Sequence, residues 1–452
     1  MGPKVNVDDL IDNQKFGLFS LRVLILALLA LTADGYDVQV MAFAAPGLAK
    51  AWHILPKAFG PVLSAGLFGI LFGAPLFGWV GDRIGRKRCI VISSALYGLF
   101  CLACLTAHDL QTLTVLRFLT GVGLGGVLPN AIAIAAEMTP RRIRAGLTSF
   151  VGVGITLGGV IPGLIAARLA PPQTFHALFL VGGVAPIAIA VLIAVGMPES
   201  IAFLVQRGAS RQRVVGLLHA IDPTVQIPED AELVVRAPPS KADNSFARLF
   251  EGRMALVTPL LWVMFAATLL SIYLLTSWMP LLLEASGFAP SQAAFINSLF
   301  QMGGVLGVIV VSSLFGRLGA PLVAIMFVLT LGAVALVARG PLSENGVVLA
   351  VAACGFCLIG LQCIMNGTAG LAYPTAVRAK GVGMALGVGR IGSVVGPLVG
   401  GAMVASAGGS ARDLFLVPLI PLALGAVAAV VVATRLNLRA PAGPAASAAL
   451  EP

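Results

Sequence analysis

The sequence predicts an all-α membrane protein, with twelve transmembrane helices arranged as two parallel six-helix halves. Three observations predict it: a composition nearly stripped of charge, twelve apolar runs of spanning length, and an internal repeat. Of 452 residues, 58% are hydrophobic and 11% charged, whereas an ordinary soluble domain carries about 25% charged residues. Mean hydropathy is +0.98. A water-soluble enzyme of this size could not cover its surface with 29 basic and 19 acidic side chains. The same composition excludes disorder, coiled coil and collagen. The 53 glycines suit helices that approach closely in lipid.

A helix crosses the hydrocarbon with about 20 apolar residues. Runs of that kind fall at 21–48, 58–80, 89–107, 111–136, 145–169, 175–197, 254–283, 292–314, 320–338, 346–371, 381–405 and 413–434. They are too long for barrel strands, which need about 10 residues of alternating polarity. The first is too long for a signal-peptide core, and Asp8, Asp9 and Asp12 precede it, so no cleavable leader is expected. Basic residues stay on the cytoplasmic side. With the N-terminus inside, 22 of the 29 Lys and Arg fall on that side, 5 outside, and Arg117 and Arg390 within spans. Both termini are therefore expected in the cytoplasm, and the net charge of +10 reports topology rather than nucleic-acid binding. The expected organisation is a six-helix half over 1–197, a polar cytoplasmic linker loop over 198–253, a second half over 254–435, and a disordered Ala/Pro-rich tail over 436–452.

The halves echo each other. Pro140-Arg141-Arg142-Ile143-Arg144-Ala145-Gly146 leads the fifth span, and Pro374-Thr375-Ala376-Val377-Arg378-Ala379-Lys380-Gly381 leads the eleventh. Gly146, Gly152, Gly154 and Pro162 then match Gly381, Gly387, Gly389 and Pro397 at a constant offset of 235. Both copies start on the same side, so the repeat is parallel. In transporters built this way the substrate site lies near the midplane, between the repeats.

The loop after the second span reads Gly78-Trp79-Val80-Gly81-Asp82-Arg83-Ile84-Gly85-Arg86-Lys87-Arg88. Its Asp, Gly and basic cluster resemble the signature of the major facilitator superfamily, as does Pro198-Glu199-Ser200 after the sixth span. Gly316-Arg317-Leu318-Gly319, the second-half counterpart, lacks the Asp. Asp34-Gly35-Tyr36-Asp37, followed by Phe43-Ala44-Ala45-Pro46, and Arg117-Phe118-Leu119-Thr120-Gly121 with Glu137 narrow the likeness. The chain resembles, over its whole length, the aromatic acid/proton symporter family, bacterial importers of 4-hydroxybenzoate, protocatechuate, benzoate and related acids. The resemblance implies proton-coupled uptake by alternating access in the bacterial inner membrane. It implies transport roles for Asp34, Asp37, Asp82, Arg117 and Glu137, and maps the family's second-half arginines to Arg378 and Arg390. It also implies that Gly78, Asp82, Arg83, Gly85 and Arg86 clamp helix ends as a gating loop. A sugar acid or other small organic anion is the alternative substrate.

Physics alone singles out the same charges. A carboxylate at a helix centre costs about 2.5–3.5 kcal/mol to insert. Asp34 and Asp37, at i and i+3, share a face, and burial with a like neighbour favours the protonated form, the requirement for carrying protons. The alternative is a helix break at Asp34-Gly35, with Asp34 satisfying freed backbone groups. A guanidinium grips a carboxylate with a two-pronged fork, so Arg390 or Arg117 is expected to hold the substrate's carboxylate. An internal pair of Arg117 with Asp34, Asp37 or Glu137 is the other reading, and Glu137 has Arg141 and Arg144 as alternative partners. Tyr36, Phe43, Trp278, Phe300 and Tyr373 are candidates for ring contact. Asn297, Gln301, Gln362 and Asn366 are candidates for ring hydroxyls.

Other signals are weaker. Gly121/Gly123/Gly126 and Gly387/Gly389/Gly392 fit the dinucleotide spacing, but inside spans rather than after a strand. Cys101/Cys104 and Cys354/Cys357 lie in apolar runs, which argues against metal or a disulfide framework. Four scattered histidines form no cluster, and there is no phosphate-binding loop for ATP. No metal, no cofactor beyond the proton gradient, and no nucleic-acid partner are expected; the chain is expected to act as a monomer in the bilayer. Five charges within spans, Asp34, Asp37, Arg117, Glu137 and Arg390, carry the functional reading.

Overall fold

The computed structural model describes residues 3–14, 16–169, 173–228, 231–235, 246–340, 343–374, 377–407 and 411–436. The tail expected beyond 436, and Pro238-Pro239 of the linker, lie outside the described residues. The helices run α1 Val7–Asn13, α2 Leu18–Ala51, α3 Gly60–Ile84, α4 Arg86–Ala103, α5 Leu110–Leu124, α6 Val127–Glu137, α7 Arg141–Ala166, α8 Gln173–Gly196, α9 Ile201–Gln206, α10 Arg211–Ile221, α11 Met254–Ala285, α12 Pro290–Leu318, α13 Pro321–Arg339, α14 Glu344–Ala372, α15 Arg378–Ala407, α16 Ala411–Leu416 and α17 Leu419–Leu436. Two three-residue strands, β1 Lys4–Asn6 and β2 Glu232–Val234, accompany them.

Among the described residues, twelve helical stretches are long and apolar enough to cross a membrane, as the hydropathy pattern requires. The fourth, Leu110–Glu137, is divided into α5 and α6 by a turn at Gly125-Gly126. The first is unbroken: α2 runs straight through Asp34-Gly35, so the expected alternative of a helix break there does not occur. Gly35 serves packing instead. A side chain there would strike the backbone of Ile155 on α7. On α3 and α5 the same logic holds, since a Cβ at Gly69 or Gly73 would meet the carbonyls of Phe118 or Val122. Small residues let backbones touch where lipid supplies no hydrophobic drive.

The chain divides into two compact units. The first lies within 3–44, 65–162 and 173–235, and the second within 45–64, 163–169 and 246–436. The corner between α2 and α3 thus belongs with the later helices. Within the second unit Lys50, near the end of α2, pairs with Glu284 near the end of α11 at 2.6 Å. Ser64 of α3 donates to the carbonyl of Val394 on α15 at 2.9 Å.

The linker is more than a loop. It carries α9 and α10, and Val214, Leu218 and Ile221 of α10 form a buried stripe at helical spacing. Its β2 pairs in parallel with β1, Lys4 opposite Glu232 and Asn6 opposite Val234. Asn6 then caps α1, accepting from the Asp8 amide at 3.0 Å. Near the end of α1, Asp12 pairs with Arg144 of α7, and just past it Gln14 donates to the Met138 carbonyl at 3.1 Å.

Candidate functional site

In the first unit the centre is a buried ion pair. Asp37 of α2 is 0% exposed and Arg117 of α5 3%. Arg117 donates Nη1–H to Asp37 Oδ1 at 3.1 Å and Nη2–H to Oδ2 at 3.0 Å. Its Nη2 also reaches the Asp37 carbonyl at 2.9 Å. This is the two-pronged geometry that guanidinium and carboxylate share. Gly66 of α3 lies against it, a Cβ there falling in ordinary contact at 3.6 Å from Nη2. Asp34, one turn earlier, is also buried. Tyr97 and Cys101 of α4, and Cys104 just beyond its end, lie close enough to the carboxylates to feel their charge, and the Tyr97 hydroxyl is enclosed without a hydrogen-bond partner. The internal pairing that the sequence offered as the other reading of Arg117 is the one formed: both Nη atoms are engaged by Asp37, and Nε is enclosed without a partner. Tyr36 donates to the Leu178 carbonyl of α8 at 2.9 Å, which makes it a tie between helices. Phe43 is buried packing.

The gating loop folds around α4's first turn. Gly85 takes φ +104°, a left-handed backbone that favours glycine, and a side chain there would collide with Glu199. Glu199 accepts from the Lys87 amide at 3.0 Å and from the Ser200 amide at 3.0 Å, capping the positive end of α4. Asp82 pairs with Arg86, four residues on. Arg86 also faces Glu137 at 3.8 Å; Glu137 thus partners the loop rather than Arg141 or Arg144. Arg83 stacks over Trp79 at 3.7 Å, and its carbonyl accepts from Arg207 at 2.7 Å. Gly78 faces open space. The sequence marks Pro198-Glu199-Ser200 only as part of the superfamily pattern; nothing in its spacing singles out Glu199 as the cap of α4.

In the second unit most of the ring candidates are packing. Trp278 is 0% exposed and donates Nε1–H to the Pro397 carbonyl at 2.9 Å. Phe300 is fully buried, with its carbonyl against Gly355 of α14. Tyr373 presses its ring on Gly381; burial raises its phenol above the ordinary tyrosine range. Asn297 donates to the Thr276 carbonyl at 3.3 Å, and Gln301 is buried on the same helix. Asn366 is exposed and Gln362 half-buried. Arg378 turns back to the Tyr373 carbonyl at 3.3 Å.

Arg390 differs from all of these. It lies mid-span on α15, half-buried, and makes no ion pair or side-chain hydrogen bond among the described residues. Its neighbours on the same face explain its position. Val394 and Pro397 carry the carbonyls met by Ser64 and Trp278, and Gly401 lies against Gly60. Arg390 is one turn short of that closed contact.

Residues 26–389 match the Major Facilitator Superfamily. The chain is 37% identical over 433 residues to the 4-hydroxybenzoate transporter PcaK of Pseudomonas putida, covering 95% of this chain and 96% of that protein. It is 36% identical over 402 residues to the gallate transporter of Pseudomonas putida, covering 88% and 89%. Among solved structures it superposes on the partially occluded inward open xylose transporter XylE from E. coli with TM-score 0.70, 14% identity, and coverage of 94% and 99%.

Proposed function

The chain belongs to the Major Facilitator Superfamily, a family of transporters rather than enzymes, and from that premise we propose that it takes up a small aromatic carboxylate together with protons. The observation that carries the reading is the contrast between its two intramembrane arginines. Arg117 is filled by Asp37, while Arg390 stands in a span with its fork unfilled. An uncompensated guanidinium at that depth is costly, and an arriving carboxylate supplies the missing partner. Relatives at 36–37% identity are named for 4-hydroxybenzoate and gallate, both aromatic carboxylic acids.

Asp34 and Asp37 are the proton-coupling groups of the scheme. A proton reaching this buried pair of carboxylates discharges the partner of Arg117 and loosens α2 from α5. Glu137 and Asp82 bind Arg86, tying the gating loop to the end of α6. The pairs Lys50–Glu284 and Ser64–Val394 hold the corner between α2 and α3 to α11 and α15, and in this scheme they close one end of the path. Alternating access follows when those contacts open, the gating loop's pairs being already formed, in a monomer of the bacterial inner membrane with both termini cytoplasmic. The proton gradient is the energy source and no cofactor enters.

Counterflow of labelled 4-hydroxybenzoate in proteoliposomes, set against benzoate, gentisate and gluconate, tests the substrate class. Saturable exchange of aromatic acids is expected, and exchange of gluconate alone would overturn it. Coupling is tested by Asp34→Asn: wild-type uptake without pH dependence in that variant would sink the proton role.

A further inference from the structure

Building on the aromatic-acid reading, we propose that Gln362 of α14 is a specificity-determining residue that engages a ring hydroxyl, so that hydroxylated aromatic acids are taken in preference to benzoate. Three observations within the second unit converge on it.

The first is its face. On α14, Gly355, Gly360 and Gly367 meet Phe300, Val311 and Phe315 of α12. Met365 faces α11, where its sulfur accepts from Thr268 at 3.4 Å. At 100° per residue, Gln362 falls between Met365 and Gly355, about 60° from the first and about 20° from the second, where α14 turns from α11 toward α12. Asn366 is exposed and Gln362 half-buried.

The second is an unpaired atom. The Gln362 Oε1 is enclosed and has no hydrogen-bond partner. Buried polar side-chain atoms are paired in the large majority of cases, and turning the amide over would leave its nitrogen unpaired instead. A hydroxyl both donates and accepts, so it satisfies the site in either orientation. A bare ring edge does neither.

The third is depth. Thr268 of α11 is level with Met365 through that sulfur contact. Gly389 of α15 abuts Phe265 and Leu269 of the same helix, and Gly392 abuts Ala266, which places Arg390 level with Thr268. Gln362, three residues from Met365, lies about 4.5 Å along the axis from Arg390 at a rise of 1.5 Å per residue. Of the other amides, Asn297 donates to Thr276, eight residues and about 12 Å beyond Thr268, with its Oδ1 unpaired, and Gln301 is buried one turn further along α12. A ring whose carboxylate sits on Arg390 therefore meets Gln362 rather than Asn297 with its far edge.

The test measures KM for 4-hydroxybenzoate, 3-hydroxybenzoate and benzoate in proteoliposomes carrying wild type or Gln362→Met, a swap that keeps length and removes the amide. Wild type is expected to favour at least one hydroxybenzoate by about tenfold, one neutral hydrogen bond at a desolvated site. Gln362→Met is expected to erase that preference while benzoate KM stays within about twofold. Benzoate uptake by the variant shows that it is folded. If the variant loses benzoate uptake as well, Gln362→Glu decides: a retained hydroxyl preference supports the role and an equal loss on all three acids overturns it. A wild type indifferent to the hydroxyl, or a preference unchanged in Gln362→Met, also overturns it, and both leave the aromatic-acid reading standing. Wild type that transports none of the three acids defeats that reading and this inference together.

Discussion

Arg117 and Arg390 are chemically identical and lie in comparably apolar helices, yet they sit in opposite electrostatic situations. Arg117 is 3% exposed and shares two nitrogens with a carboxylate that is 0% exposed. Arg390 is half-buried, and among the described residues no acidic side chain reaches it. A buried charge is tolerated when paired, so the first arginine is explained by the protein itself, while the second awaits a partner. The comparison separates an arginine that holds the fold from one that serves a ligand, and it can be broken by experiment.

The largest expected effect is on the first arginine. Arg117→Ala leaves Asp37 buried without its cation, and removing one member of a buried pair costs about 3–5 kcal/mol. The thermal midpoint in detergent should fall by several degrees, and the yield of folded protein with it. Replacing both partners, Asp37→Asn with Arg117→Gln, should recover part of that loss, because no lone charge is left inside. A double variant less stable than both single ones would show that the pair does not act as a unit.

The second arginine should behave the other way. Arg390→Gln removes a charge that no partner compensates, so stability should hold or rise slightly, while uptake of aromatic carboxylate falls to background. Arg390→Lys keeps the charge and loses the fork; an increase in KM of about tenfold, equal to about 1.4 kcal/mol, is expected at an unchanged thermal midpoint. Loss of folding in Arg390→Gln would place Arg390 with Arg117 and remove the contrast.

Most of this architecture is legible in the chain. Hydropathy marks the twelve spans because each backbone polar group in lipid must be satisfied within its helix. Asp34, Asp37, Arg117, Glu137 and Arg390 stand out as charges in apolar runs. Partners are less legible, since they depend on how helices cross. The sequence permitted three acids for Arg117, and only the crossing of α2 and α5 selects Asp37. Tyr36 and Trp278 read as ring contacts by residue type, but the carbonyls of Leu178 and Pro397 take their polar atoms. The linker read as loop because prolines and polar residues dominate it, although Val214, Leu218 and Ile221 carry a helical stripe. Pairing of β1 with β2 could not be foreseen, because three-residue strands separated by more than 200 residues carry no periodic signal.

The glycine contacts offer an intermediate test, around the paired arginine. Gly158→Val on α7 would drive a side chain into the Thr32 carbonyl on α2, beside the helix that presents Asp34 and Asp37. Overpacking of this kind costs about 1–3 kcal/mol, and it should displace α2 enough to lower uptake as well as stability. Gly78→Ala meets nothing within 4 Å and should leave the fold unchanged, whatever it does to gating.

The smallest expected effect lies at Lys50–Glu284. Its lysine is 59% exposed and its glutamate 14%, and ion pairs near the surface contribute about 0–1 kcal/mol. Neither Lys50→Gln nor Glu284→Gln should shift the thermal midpoint measurably, in contrast to either partner of the Asp37–Arg117 pair. The contact joins the α2/α3 corner to α11, so its loss should show in conformational balance instead. A cysteine-reactive probe applied from the Lys50 side should label a reporter cysteine at Ser64 faster in Lys50→Gln than in the Ser64→Cys parent, because Ser64 is held against Val394 in the same closed contact. Exchanging the two charges, Lys50→Glu with Glu284→Lys, should return labelling to the parent rate. Unchanged labelling in both variants would mean that the pair follows closure without stabilising it.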